Sequence, residues 1–186
     1  MIEFPRIELE RTSVASDLLT LAKAHLRITG TAEDTELTRY INAAARDWED
    51  ATRRLLVAKT VKEYFDEWPW TWCETVYLQR APVTSVTSVK YYNTSDVLTT
   101  WDSSNYDTDL VGEPARIKLA ENASLTAPSV DDRTNSVIIE YESGVAADAA
   151  SLDAQTVNAI LGRAAWFYGQ GRELADTHDI EAVNRC

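Results

Sequence analysis

Three tryptophans separated by single residues are the first side chains in this sequence whose spacing suggests chemistry. Trp68, Trp70 and Trp72 would project to one side of an extended segment, because successive side chains of a strand alternate in direction. Such a row can pack onto the helices, contact a subunit or partner, or stack against sugar rings. Asp66 and Glu67 precede the row and could supply a carboxylate pair for glycoside hydrolysis. The sequence leaves these alternatives open.

A second group of candidate ligands is acidic and lies in the segment 102–113. Calcium prefers several oxygen ligands, but the spacing differs from that of an EF-hand loop and the glycine of such a loop is missing. An acidic loop is therefore the better interpretation. The acids in question are Asp102, Asp107, Asp109 and Glu113.

Residues typical of catalytic centres are scarce. His25 and His178 are far apart, and the sequence contains no GxSxG elbow, phosphate-binding loop, HExxH or CxxC motif. Cys73 and Cys186 have no histidine or cysteine at metal-ligand spacing and are expected to be free thiols. We therefore predict no catalytic residue, no metal, no cofactor and no enzymatic activity.

The charge balance argues against a protein that grips DNA. Eighteen basic against 30 acidic residues give a formal charge of −12, whereas affinity for phosphates comes from lysines and arginines that release counterions. An acidic surface would repel passing DNA, although acidity that only aids solubility is an equal alternative. No apolar run of about 18 residues predicts a membrane span, and the first ten residues lack a signal-peptide core, so we expect cytoplasmic synthesis.

Apolar periodicity predicts two helices near the start of the chain. Thr20 is a plausible N-cap of a short helix through Ile28, and Gly30 would end it. A second helix begins at Thr31 or Asp34, and its apolar residues recur every three or four positions. They are Leu37, Ile41, Ala44, Trp48, Ala51 and Leu55.

The middle of the chain is rich in predicted strands. Thr75 to Tyr92 indicates strand, bend and strand, with Ala81-Pro82 at the bend. A polar turn is expected to join Val97–Trp101 and Tyr106–Leu110 into a hairpin. The remaining predicted strands are Val57–Glu67, Arg116–Ala120 and Ser136–Glu142, with a polar loop at Glu121–Asn135.

A last helix is predicted from a cap at Ser151 to about Tyr168. Gly162 would let another helix approach closely, and Gly169 and Gly171 would end the regular structure. A polar tail ordered only by a partner would follow.

These elements predict an α+β fold in which a helical bundle, two N-terminal helices plus a C-terminal helix, accompanies an antiparallel β-rich middle segment. The length is compatible with a single domain, 1–186. Its parts are an arm at 1–16, helices at 17–56, a β-rich region at 57–144, a closing helix at 150–170 and a tail at 172–186.

Three stretches in the expected order resemble one protein family. The run from Leu78 to Tyr91, LQRAPVTSVTSVKY, resembles the "leucine, x, arginine, x, proline, hydrophobic, x, serine-valine" signature of tailed-phage head-tail connector (adaptor) proteins. Leu19–Ile28 resembles the first helix of that family, and Ala43–Leu56 resembles the end of its second. A closing helix with the aromatic cluster Trp166-Phe167-Tyr168 completes the order.

The resemblance implies a ring-forming structural protein of the virion neck, found in phages and gene transfer agents. Such a ring, of about twelve copies in a cyclic homo-oligomer, docks beneath the portal protein and encloses the DNA exit channel. It also provides the platform for the stopper, head-completion or tail protein. DNA would pass through without sequence-specific binding, and no membrane is involved. The alternative is a carbohydrate-binding module or a glycoside-acting enzyme that uses Trp68, Trp70 and Trp72.

Two sets of residues are the predicted contact sites. For docking to the portal, the candidates are Arg172, Glu173, Leu174, Asp176, His178, Ile180, Val183 and Arg185. For contact with a neighbouring subunit or the tail, they are Trp68, Trp70, Trp72, Trp101, Tyr106, Asp107, Asp109, Arg53 and Arg54.

Overall fold

Two compact units make up the chain in its computed structural model. The positions described are 5–9, 13–71, 75–121 and 133–183, with the backbone alone described at 71 and 171–183. One unit, here the β unit, comprises Met1–Arg11 and Arg53–Val145; the other, the helical unit, comprises Thr12–Thr52 and Ala146–Cys186. The expectation of a single domain stays a prediction.

Eight strands of the described part of the β unit form two antiparallel sheets. The strands are β1 (Arg6–Leu9), β2 (Lys59–Phe65), β3 (Thr75–Tyr77), β4 (Val83–Tyr92), β5 (Leu98–Trp101), β6 (Tyr106–Asp109), β7 (Arg116–Leu119) and β8 (Val137–Ser143). The larger sheet has the order β1-β2-β8-β4-β5 and the smaller β3-β7-β6. Both sheets contribute to one hydrophobic core. The predicted α+β fold class is confirmed.

Alternation of side chains explains how β2 and β8 build that core. Every second residue of β8 is buried, from Val137 through Ile139 and Tyr141 to Ser143. On β2 the same parity buries Val61 and the acidic Glu63. A strand in the centre of a sheet must follow this two-residue period, so the acidic Glu63 is carried into the interior.

The predicted hairpin between the fifth and sixth strands is wrong. β5 pairs with β4, from Val89↔Trp101 to Tyr92↔Leu98, while β6 pairs with β7 in the other sheet. A short 3-10 helix, Ser103–Asn105, separates them, and the Asp102 carboxylate caps it by accepting the Ser104 N–H. The polar turn is thus a crossing between two sheets.

Three helices are described in the helical unit: α1 (Ala15–Leu26), α2 (Asp34–Thr52) and α3 (Ala154–Val183). No described helix is both long and apolar enough to cross a membrane. The core of this unit is built mainly from small and aliphatic side chains. They include Leu18, Ala22, Leu37, Ile41, Ala44, Leu152, Ile160, Leu161 and Ala164.

The predicted ends of the first two helices need correction. α1 starts five residues before Thr20, because Ala15 and Leu18 are already buried, and its start has no side-chain cap. α2 ends at Thr52, and Arg53 has a positive φ of 59°. Leu55 continues the helical spacing in the sequence but lies in the core of the β unit.

Two expectations for the last helix are also wrong. Its cap is Asp153, whose carboxylate accepts the N–H groups of Gln155 and Thr156, and not Ser151. The helix continues through Gly169 and Gly171 to Val183. A glycine within a helix costs only about 1 kcal/mol relative to alanine, which good helix-forming neighbours can offset.

Gly162 does not mark a close helix contact. Apart from its chain neighbours and the backbone of its own helix, a Cβ atom built on it would meet no atom within 4 Å. We expect Gly162→Ala to raise the free energy of unfolding by about 0.5–1 kcal/mol, because alanine lowers the entropy lost on helix formation. Urea denaturation followed by circular dichroism measures this. The control is Gly112→Ala in the loop before Pro114, where an added Cβ would lie 3.7 Å from the Pro114 carbonyl oxygen, an ordinary contact distance. This substitution should change the free energy of unfolding little.

Candidate functional site

The first five residues of the signature run, Leu78–Pro82, connect β3 to β4. We call these five residues the signature segment. Leu78 is buried, and its N–H donates to the Ala115 carbonyl at 2.9 Å. Ala81 donates its N–H to the Arg53 carbonyl at 3.1 Å and accepts the N–H of Leu55 at 2.8 Å. Backbone hydrogen bonds therefore fix both ends of the segment.

Two buried side chains hold the middle of the signature segment. Gln79 donates its N–H to Glu63 Oε1 at 2.7 Å, and Arg80 donates its N–H to the Tyr141 hydroxyl at 3.2 Å. The Tyr141 hydroxyl in turn donates to Glu63 Oε1 at 2.5 Å. Glu63 and Tyr141 thus satisfy two backbone donors that the sheets do not use.

Burial raises the pKa of both groups of this pair. It raises the pKa of Glu63 above the usual 4.5, although hydrogen bonds from Tyr141 and Gln79 act in the opposite direction. Burial also raises the pKa of Tyr141, and the Glu63 carboxylate adds to that effect. Because the two side chains serve backbone groups, their role is to hold the segment. Glu63 was not among the functional residues predicted from the sequence; its position two residues after Val61 was the available signal.

The pairing of β4 with β8 explains why the valines in the second half of the signature recur every three residues. Val83, Val86 and Val89 of β4 face Ser143, Tyr141 and Ile139 of β8, which are two residues apart. The register shifts between Val83 and Ser85 and again between Val86 and Ser88. Each irregularity adds one residue to β4, as β-bulges do, so a three-residue period on one strand matches a two-residue period on the other.

Gly144 lies close to the backbone of Ala58 and stabilises the start of β4 by a backbone hydrogen bond. Gly144 donates its N–H to the Pro82 carbonyl at 3.0 Å. A Cβ built on this glycine would lie 2.3 Å from the backbone nitrogen of Ala58. The position therefore requires a residue without a side chain, because the opposing atom belongs to backbone.

The predicted tryptophan row is largely an interior cluster. Trp68 and Trp70 are 5% and 8% exposed, and Trp101 is 7% exposed. Their ring centroids lie 5.9 Å apart for Trp68 and Trp70, 4.9 Å for Trp68 and Trp101, and 5.5 Å for Trp70 and Trp101. Pro69–Thr71 is a 3-10 turn and not an extended segment. Trp72 and Cys73 lie outside the described residues.

This burial favours the packing interpretation for Trp68 and Trp70, with the β unit in place of the helices as the packing partner. Rings this deeply buried offer no face on which a sugar could stack, so the carbohydrate alternative is not supported. Asp66 is engaged as well, since its carboxylate accepts the N–H of Asn135 at 2.6 Å. The interface role of the tryptophans stays a prediction.

The acidic segment carries its own ion pairs. Asp109 on β6 pairs with Arg116 on β7 at 2.9 Å, and Glu113 pairs with Arg54 at 3.3 Å. The Arg116 guanidinium lowers the pKa of Asp109. In the described ranges no three His, Cys, Asp or Glu side chains cluster as a metal site requires.

Asp107 and Arg53 are exposed, Tyr106 is half-buried, and their contact roles stay predictions.

The predicted portal-docking residues fall at the end of the longest helix. Their backbone is helical as far as Val183, and their side chains are not described. The residues within the helix are Arg172, Glu173, Leu174, Asp176, His178, Ile180 and Val183. Arg185 and Cys186 lie outside the described residues.

Comparison with known proteins confirms the resemblance. The family model described as "phage gp6-like head-tail connector protein" matches residues 16–104, from α1 to the start of the acidic segment. Among curated proteins, no relative matches the sequence.

Three solved chains share the fold. One comes from the neck of an empty gene transfer agent (GTA) particle computed with C6 symmetry; it is 24% identical, with a TM-score of 0.69 over 88% of this chain and 84% of that one. A chain of the native GTA virion is 22% identical, with a TM-score of 0.70 over 88% and 84%. A chain from the neck of the native particle, computed with C12 symmetry, is 20% identical, with a TM-score of 0.70 over 88% and 83%.

Proposed function

We propose that this chain, whose residues 16–104 match the phage gp6-like head-tail connector family, is a structural head-tail adaptor of the virion neck. The family match carries the proposal, because it spans α1, α2 and the whole signature segment. The likeness in fold to chains of GTA particles supports it. The adaptor docks beneath the portal, extends the DNA channel and offers the platform to which the stopper or tail attaches.

Assembly into a ring of copies follows from this role. Two of the similar chains come from necks computed with C6 and C12 symmetry. A head-to-tail contact that repeats around an axis closes into such a ring, and about twelve copies are proposed. With a formal charge of −12 on every copy, the ring repels the DNA that passes through it.

The protein has no enzymatic role in this proposal. The buried Glu63 and Tyr141 are engaged by backbone hydrogen bonds of the signature segment. The carboxylates of Asp109 and Glu113 pair with arginines of the same unit. Side chains that are paired in this way stabilise the fold, and a neck component must keep its fold under mechanical load.

The end of α3 is the proposed portal-docking element. Among the residues of α3 whose side chains are described, Ala154 to Gln170, the buried ones are Thr156, Ile160, Leu161 and Ala164. The proposal assigns the helix beyond Leu174 to a partner. A chain cut after Leu174 should keep its melting temperature within about 3 °C. It should no longer bind rings of the portal protein of the same particle, as seen by negative-stain imaging.

The matched control keeps the full length but replaces 175–186 by a glycine-serine segment, and it should fail to dock in the same way. Docking by either altered chain would contradict the assignment of the helix end. Failure of the unaltered chain to form a layer on the portal would contradict the adaptor function itself.

A further inference from the structure

The helical unit presents four side chains that form an aromatic patch across α2 and α3. Tyr40 on α2 stacks on Phe167 with ring centroids 6.2 Å apart. Trp166 meets Phe167 edge to face at 5.3 Å. The guanidinium of Arg163 lies 4.6 Å from the ring centres of both Trp166 and Phe167. We call this group, Tyr40, Arg163, Trp166 and Phe167, the α2–α3 patch.

The core of the helical unit does not use the indole of Trp166, which is 52% exposed. Trp48 on α2 is half-buried, and Trp68, Trp70 and Trp101 in the β unit are less than a tenth exposed. An exposed tryptophan next to an arginine and a tyrosine has the composition of energetic hot spots in protein interfaces.

The patch is held in position before any partner arrives. Arg163 donates to the Asp47 carboxylate at 2.9 Å while it covers both rings. Tyr168, the next residue after Phe167, donates its hydroxyl to Glu33 and meets Tyr40 edge to face. Because these side chains are already ordered, little rotamer entropy remains to be lost when a surface docks on them.

The charges at the patch favour a protein surface over a nucleic acid as the binding partner. Arg163 pairs with Asp47 and Arg39 pairs with Glu36, so the basic groups are balanced by acids and a nucleic acid finds no net positive charge. The side chain of Arg163 is still 47% exposed. An acidic protein surface can therefore share this guanidinium, and this chain, with 30 acidic residues, has such a surface.

From this geometry we infer that the α2–α3 patch is where one copy of this chain receives the next copy in the ring. The inference rests on the proposed function, which already assigns the far end of α3 to the portal and leaves the patch for the neighbouring copy. Aromatic burial supplies the affinity, and the shared Arg163 sets the orientation.

The test introduces one charge at two exposed apolar positions of the same unit. Trp166→Glu lies in the patch, whereas Leu21→Glu on α1 replaces a side chain that is 49% exposed and outside it. Trp166→Glu should weaken ring formation on the portal by at least about tenfold in midpoint concentration, while Leu21→Glu assembles like the unaltered chain. Circular dichroism of both variants should match that of the unaltered chain.

A second variant carries the photocrosslinking residue p-benzoylphenylalanine in place of Trp166, which keeps an aromatic ring at the site. Irradiation of portal-bound rings followed by peptide mass spectrometry should identify crosslinks to another copy of this chain. Crosslinks to the portal, or none, overturn the inference, as does normal ring formation by Trp166→Glu. In those cases an unaltered chain that still forms its layer leaves the adaptor function intact; if that chain forms no layer, both proposals fail.

Discussion

Replacing Trp68 or Trp101 by alanine should lower the free energy of unfolding by about 3–5 kcal/mol, the range for large aromatic residues removed from a core. Both rings are less than a tenth exposed and lie 4.9 Å apart, and Trp68 also meets Tyr91 at 5.4 Å. Each substitution removes a large apolar surface and leaves a cavity that neighbouring rings cannot fill. Urea denaturation of the dilute monomer, followed by circular dichroism, measures the loss.

The exposed Trp166 provides the matched control for this experiment. Trp166→Ala removes the same side chain from a position that is 52% exposed, so monomer stability should change by less than about 1 kcal/mol. The opposite pattern, with a stable Trp68→Ala monomer that fails to assemble, would show that the buried cluster is a contact surface after all.

Glu63→Leu is expected to have the second large effect, a loss of about 2–5 kcal/mol. Leucine fits a buried position but accepts no hydrogen bond, so the Gln79 N–H and the Tyr141 hydroxyl lose their common acceptor. Tyr141→Phe removes the hydroxyl that accepts the Arg80 N–H. The two losses should be less than additive in a double-mutant cycle, because both changes break one network. Fully additive losses would show that the pair does not act as a unit.

Glu63→Gln separates the effect of charge from that of hydrogen bonding. Burial raises the pKa of Glu63 in the folded chain above the usual 4.5. The contribution of Glu63 to the free energy of unfolding is therefore complete below pH 4.5, and it is lost as the pH rises through the raised pKa of the folded chain. Glutamine keeps the acceptor oxygen but never ionises. The stability of Glu63→Gln relative to the unaltered chain should therefore increase as the pH is raised from about 5 to 8. A constant difference across that range would contradict the raised pKa.

Local patterns predicted the kinds of most elements correctly; the exceptions are the 3-10 turn at Pro69–Thr71 and the helical continuation of α3 to Val183. The spacing of Leu37, Ile41 and Ala44 identified α2, and the β-branched run after Pro82 identified β4. Helix ends were less predictable: the helical spacing runs on to Leu55, but the chain turns at Arg53 and buries Leu55 in the β unit. A periodic pattern records which side chains are apolar and does not record which core receives them.

The candidate sites were less predictable than the elements. The sequence pointed to Trp68 and Trp70 as a possible contact surface, although their exposure depends on Trp101 and Tyr91, which come from β5 and β4. It named the cluster at Trp166 without distinguishing the exposed ring from its half-buried neighbours Phe167 and Tyr168. Exposure depends on what packs against a residue, and distant parts of the chain supply those neighbours.

The sequence by itself determined most element types, the acidic charge and the resemblance to the connector family, because these follow from composition, short-range spacing and the signature segment. The tertiary structure alone decided which strands pair, as where β5 and β6 join different sheets. It alone placed Glu63 and Tyr141 under the signature segment, which comes from another part of the chain. The physical reason is that backbone pairing and burial are long-range interactions, and a local pattern does not contain the residues that complete them.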